Sequence, residues 1–198
     1  MMTNVNRTVL FLVVGILTFV CLWFILNPTF KKPQDPMQLA TLINNTTPLA
    51  PFSLVDTNHQ KFTSQNLKGH WNVLFFGYTH CPDICPATLT VMRDVWHNFD
   101  TPPARFIFAS VDPQNDSDKD LKTFLGHFHK NFIGLTGEQR EMKNLMQQLN
   151  IFADESEERI DHTAALMLIN PKGQLKAVFT PPLDPNAITH DLKLLTQS

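Results

Sequence analysis

A chain of 198 residues, 43% of them hydrophobic, is long enough for one domain with a substantial core once its apolar N-terminus is set aside. Its formal net charge of −2, with lysines and arginines dispersed along the chain, excludes the basic footprint of a nucleic-acid-binding protein. Three cysteines are too few for a disulfide-stapled miniprotein, and no glycine-rich phosphate loop is present.

Thr8 to Leu26 contains no charged residue, and at about 1.5 Å per helical residue it matches the roughly 30 Å of a bilayer's hydrocarbon. It predicts one transmembrane anchor over residues 8–26. Arg7 precedes it as in a signal peptide, but the apolar core is long and Asn27-Pro28-Thr29-Phe30 is a poor cleavage site, so the anchor is expected to stay uncleaved. Cys21 then reads as a membrane-buried cysteine. Arg7 and the free amino group on one side nearly balance Lys31 and Lys32 on the other, so charge does not orient the span. Residues 27–51, rich in proline and polar side chains, read as a tether, and the folded domain is expected over 52–198.

Phe52 to Phe62 predicts two short strands around an Asp-Thr-Asn turn, and Val73 to Gly77 is a continuous apolar run of the kind found in central strands. Leu89, Met92, Trp96 and Phe99 recur at helical spacing before Arg105 to Val111 returns to strand composition, which makes a β-α-β unit. Leu121, Phe124, Leu125 and Phe128 predict a second helix capped by Ser117, with Asp120 in its first turn. Thr136 and Gln139 predict a capping box ahead of a third stripe, Met142, Leu145, Met146 and Leu149. Leu166 to Ile169 and Leu175 to Phe179 flank the turn Asn170-Pro171-Lys172-Gly173 as an antiparallel hairpin, and a helix around Ala187 to Leu195 closes the chain. The order is that of an α/β, thioredoxin-like domain: a central mixed sheet flanked by helices, with extra β-hairpins.

Cys81 and Cys85 lie where the central strand ends and the first helix begins. With Cys85 in the first helical turn, both sulfurs can emerge on one side of the junction. Unpaired N–H groups there lower a thiol's pKa, which serves metal binding and disulfide exchange alike. Pro82 and Pro86 stiffen the loop, and Pro86 sits where its missing N–H has no helical partner. Far downstream, His162 in Asp161-His162-Thr163 precedes a strand, at an edge from which it can reach the cysteine loop.

Two thiolates suit linear Cu(I), and adding an imidazole gives a three-ligand set that also holds Cu(II). Such a set is poor for magnesium or calcium, and zinc would call for a fourth protein ligand that is not evident. His80 adjoins Cys81, but adjacent side chains of an extended segment point apart, which makes it a loop residue. His127 and His129 flank Phe128 as a solvated surface pair. The acidic stretch Asp154 to Asp161 reads as a hydrated loop, with attraction of a cationic partner as a secondary reading.

These residues resemble the Sco/SenC family, membrane-anchored copper proteins needed for assembly of the dinuclear copper centre of cytochrome c oxidase. The resemblance rests on Gly77-Tyr78-Thr79-His80-Cys81-Pro82-Asp83-Ile84-Cys85-Pro86, Ser110-Val111-Asp112-Pro113, Gly134-Leu135-Thr136-Gly137 and Asp161-His162-Thr163. It implies that Cys81, Cys85 and His162 are copper ligands and that the domain faces the bacterial periplasm from the inner membrane. The chain departs from the family in having Gln114-Asn115-Asp116 where members usually carry an arginine after the Asp-Pro pair.

The function expected is therefore a copper metallochaperone that hands Cu(I) or Cu(II) to the copper-bearing subunit of cytochrome c oxidase. It would be served by a copper donor protein and a thioredoxin-like reductant. The principal alternative is a thiol-disulfide oxidoreductase or redox sensor using the pair Cys81 and Cys85, which would make the protein an enzyme. An oxidoreductase of this fold usually presents a cis-proline just before the hairpin, and this chain has no proline between Pro113 and Pro171.

Overall fold

A computed structural model describes residues 9, 11–19, 22, 36–44, 47–151 and 164–197. The chain divides into two units, Met1–Pro36 and Met37–Ser198. In the first, residues 11–19 are helical and several of their apolar side chains, including Phe11, Leu12 and Phe19, are exposed. Much of the expected span 8–26, Cys21 among it, lies outside the described residues. Among those described, no helix is long and apolar enough to cross a membrane.

The described residues of the second unit form one eight-stranded sheet and four helices. The strands are β1 (Ala40–Leu42), β2 (Ser53–Asp56), β3 (Lys61–Thr63), β4 (Trp71–Gly77), β5 (Ala104–Ser110), β6 (Ile133–Thr136), β7 (Leu166–Ile169) and β8 (Leu175–Phe179). The helices are α1 (Ile84–His97), α2 (Asp118–Gly126), α3 (Gln139–Gln148) and α4 (Pro185–Thr196). The sheet order is β1-β8-β7-β4-β5-β6-β2-β3. β4, β5 and β6 run parallel, and every other neighbouring pair is antiparallel. This is the mixed sheet expected, with both hairpins in place.

Alternation along β4 and β5 builds a core on each face. Val73, Phe75, Phe106 and Phe108 turn toward a cluster containing Leu89, Met92 and Val95 of α1, Leu121 of α2 and Ile188 and Leu192 of α4. Leu74, Phe76, Ile107 and Ala109 turn the other way, to Met142, Leu145 and Met146 of α3 and to Leu54 and Phe62 of the first hairpin. Burial on both faces explains why β4 reads as an unbroken apolar run. Each fully buried phenylalanine, such as Phe75 or Phe108, contributes about 1.5–3 kcal/mol relative to an exposed one.

Several expectations need correction. The segment read as a tether supplies β1, which pairs with β8, and Pro48, which bridges to Gln174, so the compact unit begins at Met37. Ser117 caps α2 as expected, with Asp120 completing its capping box. Thr136 and Gln139 make no such box. Glu138 occupies the N-cap of α3 without a side-chain bond, because Thr136 ends β6 and its hydroxyl donates inward to the Asp116 carbonyl at 3.0 Å. Phe99 lies past the end of α1, packed against the core from the following turn. His129 is not on a solvated face: its ring lies 4.5 Å from Trp96 and 5.5 Å from His97, and burial, then the His97 and Lys130 charges, pull its pKa down.

Candidate metal centre

The site lies at the C-terminal ends of the parallel strands, the customary place for ligands in open α/β sheets. Val111 N–H donates to the Gly77 carbonyl at 2.9 Å, so β4 and β5 end side by side. The turns that follow them, one carrying the cysteines and the other Asp116, are thereby brought together.

Helix α1 starts without an ordinary cap. Asp83 holds the N-cap position but its side chain makes no capping hydrogen bond. The Cys81 sulfur takes over: Cys85 N–H donates to it at 3.4 Å. The Asp83, Ile84 and Cys85 N–H groups all point toward this sulfur, so the thiolate satisfies donors that a helix start leaves unpaired. Burial works against the Cys81 anion, but these N–H groups outweigh it and hold the thiol below its ordinary range.

Cys85 is the opposite case. It is fully buried, and burial pushes its pKa well up; the neighbouring Cys81 and Asp116 charges push the same way, against a hydrogen bond with the Tyr78 backbone. Its thiol hydrogen-bonds the Cys81 sulfur, so the two are in reach of one another in the dithiol form. Cys81 is buried too, but at 7% exposed it is the less completely enclosed of the two.

Gly77 makes room for this arrangement. A Cβ built there would lie 2.8 Å from the Cys85 sulfur and 2.8 Å from the Phe108 ring, distances no real Cβ adopts. Asp116 underpins the turn from the other side, its carboxylate accepting from Thr79 N–H, the Thr79 hydroxyl and the Ser110 hydroxyl. Sequence reasoning overlooked both residues. A glycine closing an apolar strand just before the first cysteine was a usable signal for Gly77, whereas nothing in the local sequence distinguishes the buried Asp116 from the acids of the surface.

The structure thus brings Cys81 and Cys85 together as expected. His80 is an exposed turn residue whose Nδ1 lies 3.1 Å from the Thr79 hydroxyl, on the carboxylate side rather than among the sulfurs. His162, with the acidic stretch 154–161, lies outside the described residues. Among those described, no three histidine, cysteine or carboxylate side chains form a metal-binding cluster. What is present is a pair of buried soft donors, Cys81 with its pKa held down by the helix start and Cys85 with its pKa pushed up by burial.

The profile of the SCO1/SenC family matches residues 41–197. A SCO2-like protein of Rickettsia felis is 31% identical over 179 residues, covering 83% of this chain and 86% of that one. The structure of Bradyrhizobium japonicum ScoI with copper bound superposes with a TM-score of 0.65 at 32% identity, over 74% of this chain and 98% of that one. That of Arabidopsis thaliana ScoI with copper bound gives 0.69 at 29% identity, over 77% and 100%. With the profile spanning all but the first residue of the sheet and the Gly77-to-Pro86 turn inside it, the chain belongs to the SCO1/SenC family.

Proposed function

We propose that the protein is a copper metallochaperone that binds copper through Cys81, Cys85 and His162 and delivers it to the dinuclear copper site of cytochrome c oxidase during assembly. Residues 8–26 anchor it in the inner membrane, with the domain in the periplasm. The observation that carries this reading is the adjoining sulfur pair at the start of α1, with Cys81, the less completely buried of the two, favoured as a thiolate by backbone N–H groups. The copper-bound structures of relatives at 29% and 32% identity support the choice of ion. An ion held by two sulfurs of unequal burial can be passed on by ligand exchange, the less completely buried Cys81 releasing first. Oxidation of the two thiols to a disulfide, with two electrons passing to the oxidant, removes both donors, so a reductant must act before loading.

The decisive measurement is copper stoichiometry of the detergent-solubilised chain, reduced and anaerobic, beside a Cys81→Ser/Cys85→Ser variant. One copper per chain is expected for the first and none for the second; equal uptake rejects the reading. His162→Ala should weaken Cu(II) binding while sparing part of the Cu(I) affinity, and an unchanged Cu(II) absorption spectrum rejects the histidine's role.

The unequal pair also suits a second reading, thiol-disulfide exchange, with Cys81 as nucleophile and buried Cys85 as the resolving thiol. Catalytic turnover of a disulfide substrate by metal-free protein, lost in Cys81→Ser, would favour it.

A further inference from the structure

Asp116 is a fully buried carboxylate just past the end of β5. Burying such a group costs several kcal/mol unless hydrogen bonds replace its hydration. Among the described residues, the group it pairs with that can carry positive charge is His80, whose Nδ1 lies 3.8 Å away on a largely exposed side chain and offsets little of this. Three protein donors take the place of water. Thr79 hydroxyl donates to Oδ1 at 2.5 Å, Thr79 N–H to Oδ2 at 3.0 Å and Ser110 hydroxyl to Oδ2 at 2.7 Å. The Asp116 backbone is itself fixed, its N–H donating to the Asp112 carbonyl at 3.0 Å and its carbonyl receiving the Thr136 hydroxyl.

Two of the three donors come from one residue, and that residue stands two positions before Cys81. Ser110 belongs to β5 and is held by the sheet whatever Asp116 does. Thr79 has no strand to hold it: it lies in the turn between the end of β4 and the start of α1. An apolar side chain would fill the space behind the turn without the desolvation cost, but it would leave Thr79 N–H unsatisfied and the turn unanchored.

We infer that Asp116 is a positioning residue for the reactive pair, clamping Thr79 so that the Cys81 sulfur stays over the N-terminus of α1 beside Cys85. The inference deepens the proposed metal site, yet its test does not depend on copper, because the clamp acts on sulfur placement in the metal-free protein.

The experiment compares Thr79→Val, Asp116→Asn and Ser110→Ala in the full chain, reduced and metal-free. The readout is the ratio of Cys81 to Cys85 alkylation rates by iodoacetamide at fixed pH, with thermal midpoints alongside. Thr79→Val and Asp116→Asn should each lower the ratio about tenfold, the size expected for one charge-assisted hydrogen bond lost from the turn. The double variant should be no worse than Asp116→Asn alone. Ser110→Ala removes a hydrogen bond from the same carboxylate on the sheet side, so it should lower the midpoint and leave the ratio within about twofold. A wild-type ratio in Thr79→Val overturns the inference, as does an equal fall in Ser110→Ala, which would mean general loosening. Should Asp116→Asn fail to fold, Thr79→Val against Ser110→Ala still decides. Equal copper uptake by the Cys81→Ser/Cys85→Ser variant would defeat the metal reading and leave this comparison intact.

Discussion

Two buried carboxylates, Asp116 and Asp191, solve the same physical problem at different places in the fold. Asp191, on α4, accepts the backbone N–H groups of Gln38, Leu39 and Ala40 at 2.9, 2.8 and 2.7 Å, and lies 2.9 Å from His190 Nδ1. It fastens the start of the compact unit to its last helix, across more than 150 residues of sequence. Asp116 takes two hydroxyls and one N–H, and ties the cysteine turn at Thr79 to the end of β5 at Ser110. One carboxylate joins distant ends of the chain, whereas the other holds a short reactive loop; an identical side chain serves stability in the first case and placement in the second. The donors show the division, since Asp191 takes three consecutive backbone N–H groups of the N-terminal segment, whereas two of the three donors on Asp116 come from Thr79 in the turn.

The sharpest way to break the comparison is to remove the fastening carboxylate. Asp191→Ala leaves three N–H groups without their acceptor and should cost about 3–5 kcal/mol in urea unfolding. The Cys81 alkylation rate of the folded protein should not move, because the lesion lies at β1 and α4. A loss under about 1 kcal/mol, the size of one ordinary hydrogen bond, would show that the N-terminal segment detaches freely and that Asp191 is not a fastening. Next in size is Gly77→Ala, at the cysteine end. Its Cβ would overlap the Cys85 sulfur and the Phe108 ring, and overpacking of this kind costs about 1–3 kcal/mol. Unlike Asp191→Ala, it should also alter Cys85 reactivity, and wild-type stability together with wild-type thiol chemistry would contradict the tight fit described here.

The cysteine end was far more legible in sequence than the fastened end, for a physical reason. Continuous apolar runs, helical stripes and two thiols at a strand-to-helix junction are local patterns, so β4, α1, β5 and the reactive pair could all be placed from the residues alone. Strand β1 has only Ala40, Thr41 and Leu42, two of them exposed, and exists because β8 and Asp191 supply partners from the far end of the chain. β6 is similarly short and carries Gly134, whose missing Cβ leaves room for Thr57 and Leu125, so its strand character comes from packing between β5 and β2. Asp116 was invisible for the same reason: its partners are 37 and 6 residues upstream, and only the folded turn brings them together.

The smallest expected effect concerns acid. Burial opposes ionisation of Asp191, but the hydrogen bonds from Gln38, His190, Ala40 and Leu39 outweigh it and hold the pKa below the ordinary carboxylate value. A group whose folded pKa is depressed binds fewer protons folded than unfolded in the window between its two pKa values. Its contribution to stability is therefore complete above the unfolded value, near 3.8, and declines as pH falls from there through the lower folded value. Asp191→Asn, which keeps the volume and one acceptor oxygen but cannot ionise, should consequently be less stable than wild type at neutral pH and show a shallower loss below about pH 4. The gap between the two proteins should narrow with acid. A gap that stays constant from neutral pH down to the acid transition would mean that the fastening at β1 owes its strength to shape alone, and that the charge on Asp191 contributes nothing to it.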